Sequence, residues 1–192
     1  MSSQKIIYNI LRSDRTVFKI NTVRSLSPGS PVPDNLSRLL SYYRKSGLLE
    51  SPRAGIYVKP GYSVEEMSAA IFTPTYISLN YVLSRAGVVF QYDPAITCIG
   101  TLSRTVEIDG QTYRYQRIKP EIWMNFEGIR QENGYAIATP ERALLDTMYL
   151  NPSLCYFDNL SPLDKEAVMR LLPLYEDARL SDRVIDILPP MN

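Results

Sequence analysis

The chain has 192 residues and a net charge of +1, with 45% hydrophobic and 21% charged residues, as in an ordinary globular protein that buries its own core. It contains no histidine, which excludes histidine-based acid–base catalysis, Ser-His and Cys-His nucleophile pairs and the usual zinc sites. Neither a signal peptide nor a stretch of about 20 apolar residues is apparent, so we expect a cytoplasmic protein without membrane association.

Charge is divided unevenly along the chain. Residues 1–60 contain ten Lys or Arg and three Asp or Glu, a balance of +7, whereas residues 61–192 contain 11 and 17, a balance of −6. We therefore predict two domains, residues 1–60 and 61–192. The basic first domain suits a phosphate backbone, because clustered Lys and Arg supply the sequence-independent part of DNA affinity. A merely solvated basic surface is the alternative.

The first domain begins with a predicted helix that ends around Ser13-Asp14. Its apolar residues have helical spacing: Ile6, Ile7, Ile10 and Leu11. A shorter apolar segment over residues 18–26 follows. Residues 27–33 are rich in proline, which cannot continue a helix, so we expect a turn there before a new helix starts.

The next helix carries the predicted DNA contacts. We expect Asp34 to cap its start and Gly47 to end it. One stripe is apolar and consists of Leu36, Leu39, Leu40 and Tyr43. The opposite face carries side chains suited to base edges and phosphates, with Asn35 and Ser41 as candidates for base reading: Asn35, Ser37, Arg38, Ser41, Tyr42, Arg44 and Lys45.

A hairpin is predicted directly after this helix. Two short strands, Leu48–Ser51 and Ile56–Lys59, flank a turn at Pro52–Gly55. Two helices, a polar-faced third helix and a hairpin within about 60 residues are typical of a winged helix-turn-helix. Arg53 lies near the predicted wing tip, where it can meet a phosphate or the minor groove. Winged helices also bind other proteins, and that alternative stays open.

The second domain starts with the capping-box pattern Ser63-Val-Glu-Glu66, which predicts a short helix through about Ile71. Ser78 is predicted to cap a further helix that Gly87 ends. Strands follow from about Ile96.

A second hairpin is predicted from Thr105–Ile108, Asp109-Gly110 and Gln111–Ile118, because Asp-Gly suits a type I′ turn. Its register places Val106 opposite Tyr113 on the core face and Thr105 opposite Arg114 on the wet face. Five basic residues along or near this hairpin form a candidate second strip for DNA or an acidic partner: Arg104, Arg114, Arg117, Lys119 and Arg130. Acidic residues alternate with them, so a solvated surface is the alternative.

Helices are predicted for the C-terminal part of the chain. Thr139 caps one with Pro140 at its first position, Ser161-Pro162 starts another, and a last one covers about Leu174–Leu188. The predicted fold is therefore α+β: an N-terminal winged helix-turn-helix followed by a mixed α/β domain with an antiparallel hairpin-containing sheet and C-terminal helices.

Three segments of the second domain carry a resemblance to a known family. They are Thr73-Pro-Thr-Tyr-Ile-Ser-Leu-Asn-Tyr-Val-Leu-Ser84, Tyr113-Arg-Tyr-Gln-Arg-Ile-Lys119 and Ala138-Thr-Pro-Glu-Arg-Ala-Leu-Leu-Asp146. In this order they resemble the AbiEi family of antitoxins from type IV toxin–antitoxin systems, which act in phage defence by abortive infection. The resemblance spans roughly residues 15–150.

The resemblance implies a transcriptional autoregulator. In that family a winged-helix domain binds inverted repeats in double-stranded promoter DNA and represses transcription. The second domain supports repression and counters a cognate nucleotidyltransferase-like toxin, an antagonism that is functional and leaves direct contact open. This chain differs in the proline-rich segment before the third helix and in its acidic second domain, which does not suit a direct DNA contact.

The alternatives belong to two other classes. The first is a protein-interaction module that binds a toxin or another partner without reading DNA. The second is a carboxylate-based nuclease, which requires clustered acids and a lysine around a metal, whereas the acids of this chain are scattered. We therefore expect no catalytic residues, no cofactor and no metal.

Overall fold

The computed structural model describes residues 3–25, 35–153 and 156–188, and within these ranges the protein has an α+β fold with two β-sheets. The predicted fold class is confirmed at this level. The predicted turn at residues 27–33 and the predicted cap Asp34 lie outside the described residues. No helix in these ranges is long and apolar enough to cross a membrane.

We call residues 3–25 and 35–59 the basic unit. Its elements are, in chain order, α1 (Ser3–Arg12), β1 (Val17–Lys19), α2 (Ile20–Ser25), α3 (Leu36–Lys45), β2 (Glu50–Arg53) and β3 (Ile56–Val58). The three strands form an antiparallel sheet in the order β1-β3-β2. Residues 18–25 of the predicted apolar segment are therefore a strand end followed by a helix, and residue 26 lies outside the described residues. The strand was missed because its pairing partner lies about 40 residues further on.

The two faces of this sheet have different neighbours. Phe18 and Tyr57 pair across the sheet and pack into a core with α1, α2 and α3. Val17, Ile56 and Val58 lie on the other face and belong to the core of the rest of the chain. Because strand residues alternate between faces, these short strands join the two cores.

Helix α3 ends as predicted at Gly47, which has φ +76°. The N–H of Gly47 donates to the carbonyl of Arg44, and the N–H of Leu48 donates to that of Tyr43. This pair of hydrogen bonds is the Schellman motif, in which glycine tolerates the left-handed conformation. The motif also uses Leu48, so the following strand begins at Glu50, two residues later than predicted.

We call residues 60–153 and 156–188 the sheet unit. Its helices and strands are α4 (Val64–Ile71), β4 (Tyr76–Ile77), α5 (Asn80–Arg85), β5 (Ile96–Gly100), β6 (Arg104–Ile108), β7 (Gln111–Arg117), α6 (Pro120–Trp123), β8 (Ile129–Gln131), β9 (Ala136–Ala138), α7 (Pro140–Leu150), α8 (Lys165–Leu171) and α9 (Ala178–Ile187). The strands form a mixed sheet in the order β6-β7-β5-β4-β9-β8. Among the strands of the described residues, β5–β7 and β4–β9 pair in parallel and the other pairs are antiparallel.

The predicted hairpin of the second domain is confirmed with its register. Val106 pairs with Tyr113 and Thr105 pairs with Arg114, and Tyr113 is fully buried while Thr105 is exposed. The turn residues Asp109 and Gly110 both have positive φ, +51° and +76°, as a type I′ turn requires.

Three predicted helix starts are wrong or shifted. Leu79, not Ser78, occupies the N-cap position of α5, because the Ser78 hydroxyl is buried and donates to Asp146. Helix α8 is capped by Asp164 rather than started at Ser161-Pro162, since Asp164 accepts from the N–H groups of the first turn. The predicted last helix is divided into a 3-10 helix at Leu172–Tyr175 and α9, which Asp177 caps.

Glu66 joins the two units. It was predicted as the second half of a capping box, and Ser63 does accept from the Glu66 N–H at 3.1 Å. The Glu66 carboxylate instead accepts from the Thr16 N–H and hydroxyl, at 3.0 Å each, and from the Val17 N–H at 3.1 Å. The Ser63 N–H donates to the Thr16 hydroxyl at 2.8 Å. A buried carboxylate of the sheet unit thereby holds the chain just before β1.

Candidate nucleic-acid interface

Helix α3 is held in place by its apolar stripe. Leu36, Leu40 and Tyr43 are buried, and they pack with residues of α1, β1, α2 and β3 in the core of the basic unit. Three buried positions at i, i+4 and i+7 fix the rotation of the helix about its axis. The opposite side of α3 must therefore face outward.

The outward side contains the polar residues that the sequence predicted. Asn35 occupies the N-cap position and is exposed. Ser41 is half-buried. The exposed set on the helix is Ser37, Arg38, Tyr42, Arg44 and Lys45. Among the described residues, none of the three cations in this set has a hydrogen-bond or ion-pair partner. Their charges are thus available to an anionic ligand.

Tyr42 is the one large ring on this surface. Its side chain is 64% exposed, and its ring stands edge-on to the buried Tyr43 ring with centroids 5.4 Å apart. The contact with a buried neighbour gives Tyr42 a defined position while its hydroxyl stays in water. It can therefore donate a hydrogen bond to a phosphate or a base edge.

Arg53 lies next to the hairpin turn, as predicted, but on the inner face of the sheet. It pairs with Ile56, and cross-strand partners project from the same face. Ile56 belongs to the core shared with the sheet unit, and Arg53 is half-buried. Burial and the positive charge of Arg53 lower the pKa of Lys19, which lies on the same face. Arg53 is thus less available to DNA than the α3 cations.

The five residues of the predicted second strip do not lie together. Arg130 is on β8, at the opposite edge of the sheet from β6 and β7. Arg114 forms an ion pair with Asp93 at 2.8 Å, whereas Arg104 pairs with Tyr115 and so projects from the other face of the hairpin. Arg117 and Lys119 are exposed at the end of β7. The strip was predicted because these residues are close in sequence. Closeness in sequence does not determine the order of the strands in the sheet.

A buried polar network in the sheet unit was missed by the sequence reasoning. Asp146 accepts hydrogen bonds from the hydroxyls of Ser78 and Tyr175 at 2.7 Å each and from that of Tyr76 at 3.1 Å. Its fourth donor is Arg142, one turn earlier on α7, at 3.3 Å. Arg142 and Asp146 are both fully buried. The only sequence signal was an Arg and an Asp at i, i+4 in an apolar helix.

Arg142 also fixes the loop between α6 and β8. It donates to the carbonyls of Ile122 at 2.7 Å, Glu127 at 3.0 Å and Asn125 at 3.3 Å. Burial raises the pKa of Asp146, and Arg142 with the three hydroxyls opposes that increase. The site is closed to solvent, so its role is to hold α7, β4 and the loop together.

The three segments 73–84, 113–119 and 138–146 meet at this network and in the core beside it. The first covers β4 and α5, the second covers β7, and the third joins β9 to α7. Tyr76, Ser78, Arg142 and Asp146 come from the first and third segments. Tyr113 and Tyr115 of the second segment lie on β7 and are buried in the core of the sheet unit. These patterns therefore belong to the framework of the sheet unit.

No group of three or more acidic or cysteine side chains that could hold a metal ion occurs in residues 3–25, 35–153 and 156–188. Comparison of the sequence with protein-family models finds no match, and comparison with curated proteins finds none either.

Proposed function

We propose that the basic unit is a winged helix-turn-helix that binds duplex DNA through α3. The observation that carries the proposal is the element order α1, β1, α2, α3, β2, β3 together with the sheet order β1-β3-β2. In that arrangement the third helix presents its outer face to the major groove and the hairpin flanks it.

The surface of α3 supports this proposal. Arg38, Arg44 and Lys45 are exposed cations without acidic partners among the described residues, and α3 itself contains no acidic residue. Cations of this kind bind backbone phosphates, and exposed Asn and Ser side chains can read base edges. Asn35 at the start of the helix is placed to do so, because the first residues of a recognition helix approach the bases.

We further propose that the protein is a promoter-binding autoregulator and antitoxin, in which the sheet unit counters a nucleotidyltransferase-like toxin. The support is the resemblance of three segments to the AbiEi family and their convergence in one folded framework. On this proposal the protein acts by binding promoter DNA with inverted repeats in the cytoplasm, and not by catalysis.

The proposal is tested by fluorescence-anisotropy titration of the protein with the DNA upstream of its own gene. A scrambled duplex of equal length is the control, and both titrations are repeated at several salt concentrations. We expect tight, sequence-selective binding. The logarithm of the binding constant should fall linearly with the logarithm of salt concentration, because each phosphate contact releases counterions. Equal affinity for both duplexes contradicts the promoter proposal, and absence of binding even at low salt contradicts DNA binding altogether.

A second candidate function is protein binding by the sheet unit without DNA recognition. It is favoured by an open groove of about 550 Å³ beside the segment between α5 and β5. Phe90 and Tyr92 at this groove are 68% and 85% exposed. Large exposed aromatic side chains are enriched where proteins meet. This candidate predicts no salt-dependent DNA binding by the protein, and loss of partner binding in the double variant Phe90→Ala with Tyr92→Ala.

A further inference from the structure

A cleft separates the basic unit from one edge of the sheet unit. It consists of two adjoining cavities of about 180 and 240 Å³, and both are lined by Arg15, Ala69, Thr73 and Gly134. The smaller cavity also contacts β1 of the basic unit, and the larger one extends along the β8–β9 hairpin. Clefts between units are common positions for small-molecule sites.

The smaller cavity is the cationic end of the cleft. Arg15 and Lys19 line it, and neither has an acidic partner among the described residues. Glu66 also lines it, but both of its oxygens accept hydrogen bonds from Thr16 and Val17. Lys19 is half-buried, and burial and the charge of Arg53 lower its pKa. With Arg15 and Lys19 against the single carboxylate of Glu66, the lining keeps an excess of positive charge that favours an anion.

The larger cavity is the aromatic end. Trp123, Phe126 and Tyr135 line it, and Phe126 is 70% exposed although its ring is apolar. Glu132 also lines this cavity and not the smaller one, so a negative charge is disfavoured at the aromatic end. Flat apolar side chains of this kind accept a planar ring by stacking or edge contacts.

We propose that this cleft binds a small molecule in which an aromatic or heteroaromatic ring carries a phosphate or carboxylate group. The ring lies against Trp123 and Phe126, and the anionic group lies at Lys19. Arg15 lines both cavities and bridges the two parts of the ligand. A bound molecule contacts both units, so it acts at their junction next to the Glu66 hydrogen bonds. The site does not depend on whether α3 binds DNA.

Ligand entry can be followed without a label, because Trp123 is the only tryptophan of the chain. The full-length protein is titrated with adenosine monophosphate and, separately, with benzoate, and Trp123 emission is excited at the red edge of its absorption, where neither ligand absorbs appreciably. Adenosine and inorganic phosphate serve as probes that each contain one part of adenosine monophosphate. We expect saturable changes with adenosine monophosphate or benzoate, and affinities about tenfold weaker for adenosine and for inorganic phosphate than for adenosine monophosphate.

Two variants separate the site from a general charge effect. Arg15→Ala removes the bridging cation, and Arg12→Ala removes an exposed arginine on α1 that does not line the cleft. We expect about tenfold weaker binding for Arg15→Ala and unchanged binding for Arg12→Ala. The far-ultraviolet circular dichroism of both variants should match that of the unsubstituted protein.

Two results would overturn the proposal. One is the absence of a saturable change in Trp123 emission with both aromatic anions at millimolar concentration. The other is equal weakening by Arg15→Ala and Arg12→Ala, which would mean that the anion is attracted by the overall charge of the basic unit. Because the readout needs no DNA, either result is distinct from a failure of the promoter-binding proposal.

Discussion

The basic unit and the sheet unit place their arginines in opposite environments. Arg38 and Arg44 of the basic unit are exposed on α3 and have no acidic partner among the described residues. Arg142 of the sheet unit is fully buried and reaches Asp146 and the carbonyls of the α6–β8 loop. An exposed arginine without a partner is available to a ligand. A buried arginine whose hydrogen bonds are all made within the protein stabilises the fold instead.

The residues proposed to bind DNA and the residues that stabilise the fold lie in different parts of the sequence. The three segments with the most distinctive patterns lie in the sheet unit, and they supply the buried network rather than an exposed site. The proposed DNA contacts lie in the less distinctive basic unit. The residues of these three segments therefore stabilise the fold, and the proposed DNA contacts lie elsewhere in the chain.

The largest expected effect concerns the buried pair of Arg142 and Asp146. Asp146→Asn leaves the Arg142 guanidinium buried without its carboxylate, and we expect a loss of about 3–5 kcal/mol in the free energy of unfolding. Urea denaturation followed by circular dichroism measures it. The matched control is Asp93→Asn, which disrupts the Asp93–Arg114 ion pair, where the two side chains are 27% and 43% exposed. We expect a loss below about 1 kcal/mol there.

Equal losses for the Asp146 and Asp93 variants would contradict the role given to the network. If Asp146→Asn does not fold, the double variant Arg142→Met with Asp146→Leu is the second test. Replacing both partners of a buried ion pair by apolar residues is often tolerated, so we expect the double variant to recover part of the stability.

The next effect concerns the junction of the two units. Glu66→Gln replaces one of the two acceptor oxygens by an NH₂ group, while the Thr16 and Val17 donors stay in place. We expect a loss of about 1–3 kcal/mol in the free energy of unfolding, because buried donors lose their acceptor. The control is Glu50→Gln, an exposed carboxylate of the basic unit that accepts no hydrogen bond from the residues that the structure describes. Equal stability of the two variants would mean that Glu66 does not join the units.

The smallest effect depends on pH. Burial raises the pKa of Glu65, but hydrogen bonds from Tyr81, its own backbone and Ser63, with the charge of Arg85, outweigh this and lower it below 4.5. A lowered folded-state pKa adds stability above the unfolded pKa, and this contribution is lost as the pH falls through the folded pKa. Glu65→Gln should therefore lose less than about 1 kcal/mol at pH 7, and the difference from the unsubstituted protein should shrink in acid. A difference independent of pH would contradict this explanation.

Local patterns were sufficient for several elements. The apolar stripe of α3, the glycine at its end and the Asp109-Gly110 turn each depend on residues close in sequence, and the structure contains all three. Thr139 caps α7 with Pro140 at the first position, as the sequence predicted. These features follow from backbone conformations that neighbouring residues determine.

Features that depend on distant residues were not predicted. Ser78 has the sequence of a helix cap, but Asp146 lies 68 residues further on and takes its hydroxyl. Glu66 fits a capping box, but residues 50 positions earlier occupy its carboxylate. The side-chain direction of Arg53 depends on the register of β2 with β3. A polar side chain goes to the strongest available partner, which only the tertiary structure determines.

Binding of DNA by the exposed face of α3 is tested by comparing two double variants. The double variant Arg38→Ala with Arg44→Ala is compared with Arg170→Ala with Arg179→Ala, which removes two exposed cations of the sheet unit. Affinity for the upstream DNA is measured by anisotropy at several salt concentrations, and thermal unfolding is measured in parallel. We expect weaker binding and a salt slope reduced by about two for the α3 variant alone, with an unchanged thermal transition. Unaltered DNA affinity of the α3 variant would mean that this face of α3 does not bind the DNA.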